Sequence, residues 1–507
     1  MVLHTSLLSM MVWLPVLGAV GVLATGDDAR AGTARTIAVM VALANMLLSI
    51  PLYLGFDPGS YQMQFQEDHL WIPIFQIHYA LGVDGLSLAM VILTNFTGLL
   101  VIFAGCHAIK VRVAQYMAAF LIMQGMMIGV FAATDAILFY VFWEGMLIPM
   151  YLSIGMWGSA NRSYASIKFF LYTFLGSILM LVALLYLYTQ TGVFDIAHYY
   201  GLTLDPWIEK LLFVAFLFAF AVKVPMVPLH TWLPDAHTEA PAGGSVVLAA
   251  LMLKLGVYGF LRFSMPIAPH ASDALSWFMI ALSLIAIVYI GLIAIVQADM
   301  KKLIAYSSIS HMGFATLGCF MIYQIVRHAT LSDAAMSMEG AIIQMIAHAF
   351  GSGAMFLGVG MLADRHPTHS RRISDYGGIA SRMPVFAAFF MLFAMSNVGL
   401  PGTAGFVGEF MIIMSAYQGH FLVALIAATT LVLAASYTLW MYKRVFFGPV
   451  TQPEVMKMTD IHWVEKLNYA LLAAGVFWLG LYPESVLNLL HVTVGHLLAL
   501  SLPAGVV

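Results

Sequence analysis

Six ionisable residues stand in stretches otherwise built for oil. Glu144 lies in DAILFYVFWEGMLIPMYL, Lys223 in FVAFLFAFAVKVPMVPLHTWLPDAH and Lys254 in GGSVVLAALMLKLGVYGF. His311 lies in KKLIAYSSISHMGF, His348 in EGAIIQMIAHAFGSG and Glu409 in SNVGLPGTAGFVGEFMIIM. Nine residues separate Glu144 from Asp135, His311 from Lys302 and His348 from Glu339, and eight separate Lys254 from Arg262. At about 1.5 Å of rise per helical residue, these offsets put each group roughly 12–14 Å below a polar helix end, near the middle of a hydrocarbon core about 30 Å thick.

Acid, amine and imidazole at one depth are the parts of a proton relay. Burial favours the neutral form of a lysine and a nearby carboxylate favours the charged form. Moving the carboxylate, or its proton, therefore switches a lysine between holding and releasing a proton. Imidazole relays in either direction. The expected division of labour makes Glu144 and Lys223 a modulating pair, Lys254 and His311 the relay, and Glu409 a terminal carrier. Tyr306, Ser307, Ser308 and Ser310 place hydroxyls beside His311 that could bond to water. His230 and His237 flank a proline-rich turn, where proton entry and a plain surface role are both open. Single groups have simpler readings: a lone helical histidine is more often a bonded core residue, and a Glu–Lys pair can merely lock two helices. Several such positions on different helices resist those readings together.

What must position these groups is set by composition. The chain has 507 residues, 62% hydrophobic and 9% charged, against about 25% charged in ordinary soluble domains. No core at this length hides so much apolar surface, so the solvent is lipid. Long apolar windows argue for helices and against a barrel, whose strands alternate over about 10 residues. The expected fold is an all-α polytopic membrane protein of fourteen spans, near 2–24, 36–56, 84–105, 114–133, 136–157, 167–189, 208–228, 244–264, 276–297, 303–325, 336–362, 384–417, 421–442 and 467–490. The window from Val2 to Ala24 lacks a basic leader and reads as a retained span, not a signal peptide. Segments 60–80 and 192–205 read as amphipathic and interfacial.

Lysine and arginine sort the loops. Sixteen of the 21 basic residues fall on one side, while Lys210, Arg262 and Arg327 fall on the other, leaving Lys223 and Lys254 inside. The rich side is cytoplasmic, so both termini are expected on the periplasmic side of a bacterial inner membrane. Two spans are broken at mid-depth, one by Pro225 and Pro228, the other by Gly399, Pro401, Gly402 and Gly405. Proline removes a backbone donor, and irregular backbone at membrane depth lines cavities. Paired broken helices are a transporter signature. A simple kink would explain one of them, but less readily two with an ionisable group beside each.

Cys106 and Cys319 stand apart in apolar surroundings and are too few to hold an iron–sulfur cluster. No GxGxxG or GxxxxGK[ST] motif is present, and His366 and His369 lie in a basic loop that reads as no metal site.

The stretches FWEGMLIPMYLSIGMWG, FAVKVPMVPLHTWLPDAHTEAP, ADMKKLIAYSSISHMGF and GLPGTAGFVGEF resemble the antiporter-like subunits of proton-pumping NADH:quinone oxidoreductase, respiratory complex I. The resemblance runs over essentially the full length. It implies two inverted five-helix repeats, spans 4–8 and 9–13, with the broken helices at spans 7 and 12. The domains would be 1–112, 113–264 (first repeat), 275–445 (second repeat) and 464–507. It also implies proton-transfer roles for Glu144, Lys223, Lys254, His311, His348 and Glu409. Glutamate at 409, where siblings usually carry lysine, resembles one branch of the family and departs from the L- and N-type subunits. No cofactor is expected on this chain: NADH, FMN, iron–sulfur clusters and quinone would sit on partner subunits. The implied partners are the other membrane-arm subunits, especially L and N, with the lipid bilayer and protons, and no nucleic acid. Mrp-type cation/proton antiporters and membrane-bound hydrogenases carry related subunits and are the alternatives.

Overall fold

A computed structural model describes residues 6–503. Most of the chain is helix: α1 Leu7–Leu23, α2 Ala31–Leu54, α3 Gly85–Ala108, α4 Val113–Ala132, α5 Ala136–Trp157, α6 Arg162–Thr191, α7 Pro206–Lys223 and α8 Trp232–Glu239. There follow α9 Ala242–Ile267, α10 Ser276–Ile295, α11 Met300–His328, α12 Leu331–Arg365, α13 Pro384–Val398, α14 Ala404–Gly419, α15 Phe421–Phe446, α16 Trp463–Leu481 and α17 Glu484–Ser501. Among the described residues, 11 helices are long and apolar enough to cross a membrane, with Leu7–Leu23 and Pro384–Val398 as shorter apolar helices.

The few charges of this chain start its helices. Asp84, Asp135, Asp205 and Asp299 are the N-caps of α3, α5, α7 and α11, each accepting from backbone N–H groups two or three residues ahead. Thr330 and Asp333 form a reciprocal capping box at α12. In lipid an unmet backbone donor costs several kcal/mol, so an aspartate at the polar rim of each helix is the residue that composition can least spare.

Burial divides the helices into centre and rim. The most apolar window is 100% buried in α9 and in α12, against 28% in the segment containing α2. Rim helices expose large apolar side chains, such as Leu175 and Val182 on α6, Tyr289 on α10 and Val432 on α15. Those faces meet lipid, whereas α9 and α12 are surrounded by protein and are free to carry polar groups.

Two expectations are corrected. The stretch 60–80 is an antiparallel hairpin, β1 Gln64–Ile72 with β2 Ile77–Val83. QFQEDHLWI has no clean period-two alternation and is a strand through its pairing with β2, and 192–205 holds a short 3₁₀ turn, Ile196–Tyr199. The window 467–490 is two helices, because Pro483 stops α16 and α17 turns back over the hairpin end of the bundle.

The hairpin is tied down by one buried carboxylate. Glu67 accepts from Leu8 N at 2.8 Å, Ser9 N at 3.1 Å and the Ser9 hydroxyl, and so caps α1 from a different element, since the Ser6 side chain makes no cap bond. Glu67→Gln turns charge-assisted acceptance into neutral acceptance and is expected to destabilise this junction by about 1–2 kcal/mol. The measurement is the melting temperature of the detergent-solubilised protein, and an unchanged value would dismiss the cap.

Candidate functional site

Two interruptions position the buried groups. After Lys223 the chain leaves the helix for Val224–Thr231, containing Pro225 and Pro228, and resumes at α8. The freed carbonyl of Val222 is taken up by the Trp232 indole N–H at 2.9 Å. In the second interruption α13 ends at Gly399 with φ +83°, and Pro401, Gly402 and Thr403 lead into α14. Pro225, Pro228, Gly399, Pro401 and Gly402 all lie in irregular backbone, whereas Gly405 is already inside α14. Its part is close approach: a Cβ there would fall 1.9 Å from the Ser396 carbonyl oxygen. Lys223 closes the half-helix before its break, and Glu409 lies on the half-helix after its own.

Four of the six groups come together between α9, α11, α12 and α14. Lys254, fully buried, donates to the Ala249 carbonyl at 2.5 Å and to His348 Nδ1 at 2.6 Å. That carbonyl lies in a π-helical turn, Leu248–Met252, within α9, a departure from the α-ladder of the kind found at functional sites. His311 Nδ1 donates to Glu409 Oε1 at 2.8 Å, and Gln344 Nε2 donates to the same oxygen at 3.1 Å. The His311 and His348 rings stand 5.8 Å apart, centroid to centroid. A polar cavity of about 10 Å³ lies among His311, Gln344, His348, Ser352, Asn397 and Glu409, at the lower limit of what holds one water. The file Lys254–His348–His311–Glu409 has direct contacts at both ends and a gap of water size in the middle.

The other two groups sit apart. Glu144 and Lys223 form neither a hydrogen bond nor an ion pair, and each acts on the other through space. Glu144, half-buried, accepts from the Ser177 hydroxyl on α6. Lys223, buried, has no hydrogen-bond partner among the described residues and lies 4.9 Å from the centroid of the Trp143 ring. A cation over an indole face gains about 2 kcal/mol or more when desolvated, so Trp143 holds the ammonium beside Glu144 without neutralising it.

The supporting residues need a similar correction. Ser307 and Ser308 bond back to the Ile304 carbonyl and Ser310 to that of Ile287, so these hydroxyls satisfy backbone, the common habit of serine in apolar helices. Tyr306 is half-buried. His237 is fully buried within α8, stacked on Phe356 at 4.2 Å with both ring nitrogens unpartnered among the described residues, and His230 is half-buried. Arg262, sorted above as a loop residue, and Lys301, one of the sixteen on the basic-rich side, are buried: Arg262 pairs with Asp84, and Lys301 donates to the Ala240 carbonyl at 2.7 Å. Sequence reasoning missed Ser177, Gln344 and Trp143. Gln344 was the most accessible of these, a polar residue four positions before His348 on the same helix face.

The fold and the file together define a polytopic helical membrane protein with a buried row of titratable side chains running from α9 through α12 and α11 to the half-helix α14. The profile of the NADH:quinone oxidoreductase/Mrp antiporter transmembrane family matches residues 133–434. NADH-quinone oxidoreductase subunit M of Rhodobacter capsulatus is 46% identical over 97% of this chain and 96% of its own. A chain of respiratory complex I from Thermus thermophilus superposes with a TM-score of 0.86 at 28% identity, covering 97% of this chain and 99% of that one. A chain of the Mrp complex from a Dietzia species shares the fold, with a TM-score of 0.79 at 22% identity over 97% of this chain and 52% of that one. The chain belongs to the NADH:quinone oxidoreductase/Mrp antiporter family, on the branch formed by subunit M of NADH-quinone oxidoreductases.

Proposed function

We propose that this chain is a non-redox, proton-translocating subunit in the membrane arm of an NADH:quinone oxidoreductase, driven by quinone reduction elsewhere in the complex. The observation that carries the reading is the file Lys254–His348–His311–Glu409, with contacts of 2.6 and 2.8 Å at its two ends. At 2.6 Å an ammonium and an imidazolium would repel strongly, so Lys254 and His348 share one proton between them. His311 and Glu409 are likewise joined through one hydrogen-bonded proton. A charge arriving at one end is felt at the other.

Glu144 and Lys223 are the input of this device, and a change at Glu144 alters the cost of charging Lys223 through space. In this reading NADH, FMN, iron–sulfur clusters and quinone belong to partner subunits, and the neighbours are the L- and N-type subunits. The membrane is a bacterial inner membrane with both termini periplasmic. Support for the shared side comes from Leu8, which meets Glu67 of the hairpin, and Thr493 of α17, which meets Gly85 at the same end of the bundle.

Purification of the tagged chain from its native membranes in mild detergent tests the assignment. NADH dehydrogenase activity and iron–sulfur subunits are expected to co-purify. Recovery with cation/proton antiporter subunits alone would overturn it.

A further inference from the structure

Eight residues along α9 from Lys254, at the hairpin end of the bundle, Arg262 is held from several sides. Its Nη2 donates to Asp84 Oδ2 at 2.7 Å and to Ser87 Oγ at 3.3 Å. Its guanidinium carbon stands 5.4 Å from the Tyr258 ring centroid, and the Tyr200 hydroxyl donates to its carbonyl at 3.0 Å. Arginine and aspartate are only 4% and 2% exposed. The α17 helix lies over them, with the Thr493 hydroxyl accepting from Gly85 N at 3.0 Å.

This cluster continues toward Tyr258, one turn from Lys254. The Ser87 and Tyr258 hydroxyls meet at 3.1 Å, and Tyr258 donates to the Phe131 carbonyl at 3.1 Å. Because Arg262 donates to Ser87 and Tyr258 donates to Phe131, the middle bond runs from Ser87 to Tyr258. Every donor therefore points away from Arg262, and the run ends on a backbone carbonyl, that of Phe131 near the end of α4. A proton wire needs groups that both accept and donate. Guanidinium donates only and does not deprotonate in proteins. The one nearby carboxylate is already committed to Arg262 and to the Ser87 N–H that starts α3, whose helix end adds further positive potential.

We infer that Arg262, held by Asp84, is a plug that closes the hairpin end of the Lys254 helix to protons, so that a proton on Lys254 leaves sideways through His348. The inference rests on the reading of Lys254 as a proton carrier. Arginine and half-helix dipoles exclude protons from other membrane pores on the same principle.

The test is the passive proton leak of the whole complex in liposomes, followed as decay of an imposed pH gradient without turnover. Removing one partner of a buried pair strands a charge, whereas replacing both is far milder, so the main variant is the double D84N/R262Q. Its leak is expected to rise about tenfold, a barrier lowered by roughly 1.4 kcal/mol, with NADH:quinone electron transfer retained. Arg262→His keeps a partner for Asp84 but can both accept and donate, and is expected to leak as well. Asp84→Asn keeps the donor-only cation and is expected to stay tight. Adding Lys254→Met to either leaking variant is expected to restore tightness. A tight complex with either the double variant or Arg262→His overturns the plug, and so does an Asp84→Asn leak equal to that of the double variant, which would mark a mere packing staple. Failure of the carrier reading itself appears separately, as turnover-driven pumping that survives loss of Lys254.

Discussion

Glu409→Gln is expected to remove this subunit's share of proton translocation while leaving the fold and the assembly of the complex in place. Glutamine fills the same volume, and its carbonyl can still accept from His311 and Gln344, which now lie 2.8 and 3.1 Å from Oε1. What it lacks is a proton to take or give. General acid–base groups contribute on the order of 10²- to 10⁴-fold to a transfer step, so the step is expected to slow by at least the lower figure. Glu409→Asp draws the carboxyl back by about one C–C bond, roughly 1.5 Å, and lengthens the contact with His311. It is expected to retain part of the activity, since a water in the adjoining cavity can bridge the gap. The measurement is NADH-driven acidification of proteoliposomes set against NADH oxidation in the same preparation. Undiminished acidification by Glu409→Gln would remove Glu409 from the path.

The position of that carboxyl depends on the break before it. Glu409 Oε2 lies 3.1 Å from where a Cβ on Gly399 would stand, and Gly399 is left-handed with φ +83°. A side chain at 399 would press on the carboxyl and strain the backbone at once. GLPGTAG was legible in the sequence as an interruption, because proline and glycine punctuate locally. That Gly405 serves close approach of α14 to the Ser396 carbonyl was not legible, since nothing in the chain near 405 says which backbone will lie against it.

The same division runs through the rest of the molecule. Depth could be read from spacing, so the six ionisable groups and the two broken helices were visible before any coordinates. Lateral placement could not. The sequence puts Glu144 and Lys223 at similar depth, but contact depends on which faces α5, α6 and α7 present to one another. Ser177 on α6 took the carboxylate and the Trp143 ring took the ammonium. Arg262 shows the converse limit of loop counting: a basic residue at a helix end was assigned to water, yet Asp84 and the cover of α17 bury it. The β1–β2 hairpin was not legible because Gln64–Ile72 carries no clean period-two alternation to mark a strand.

Lys254→Arg is expected to be as damaging to proton translocation as Lys254→Met, even though it keeps the charge. Lys254 sits at zero exposure with, among the described residues, only the Ala249 carbonyl and His348 Nδ1 as hydrogen-bond partners. If its role were structural, a fixed cation able to donate to both would serve, and arginine would rescue where methionine fails. If its role is to pass a proton to His348, the side chain must be able to exist neutral in this site. Lysine does so readily when buried, whereas guanidinium stays charged. Arginine would also hold His348 neutral permanently, because a second positive charge at that distance is unfavourable, and would block the relay from both sides. The comparison is made on assembled complexes, as protons moved per NADH oxidised, with a drop of about tenfold or more in the transfer step expected for each variant. Pumping by Lys254→Arg at the parental ratio would show that charge alone suffices at this position, and the relay would then have to run without Lys254.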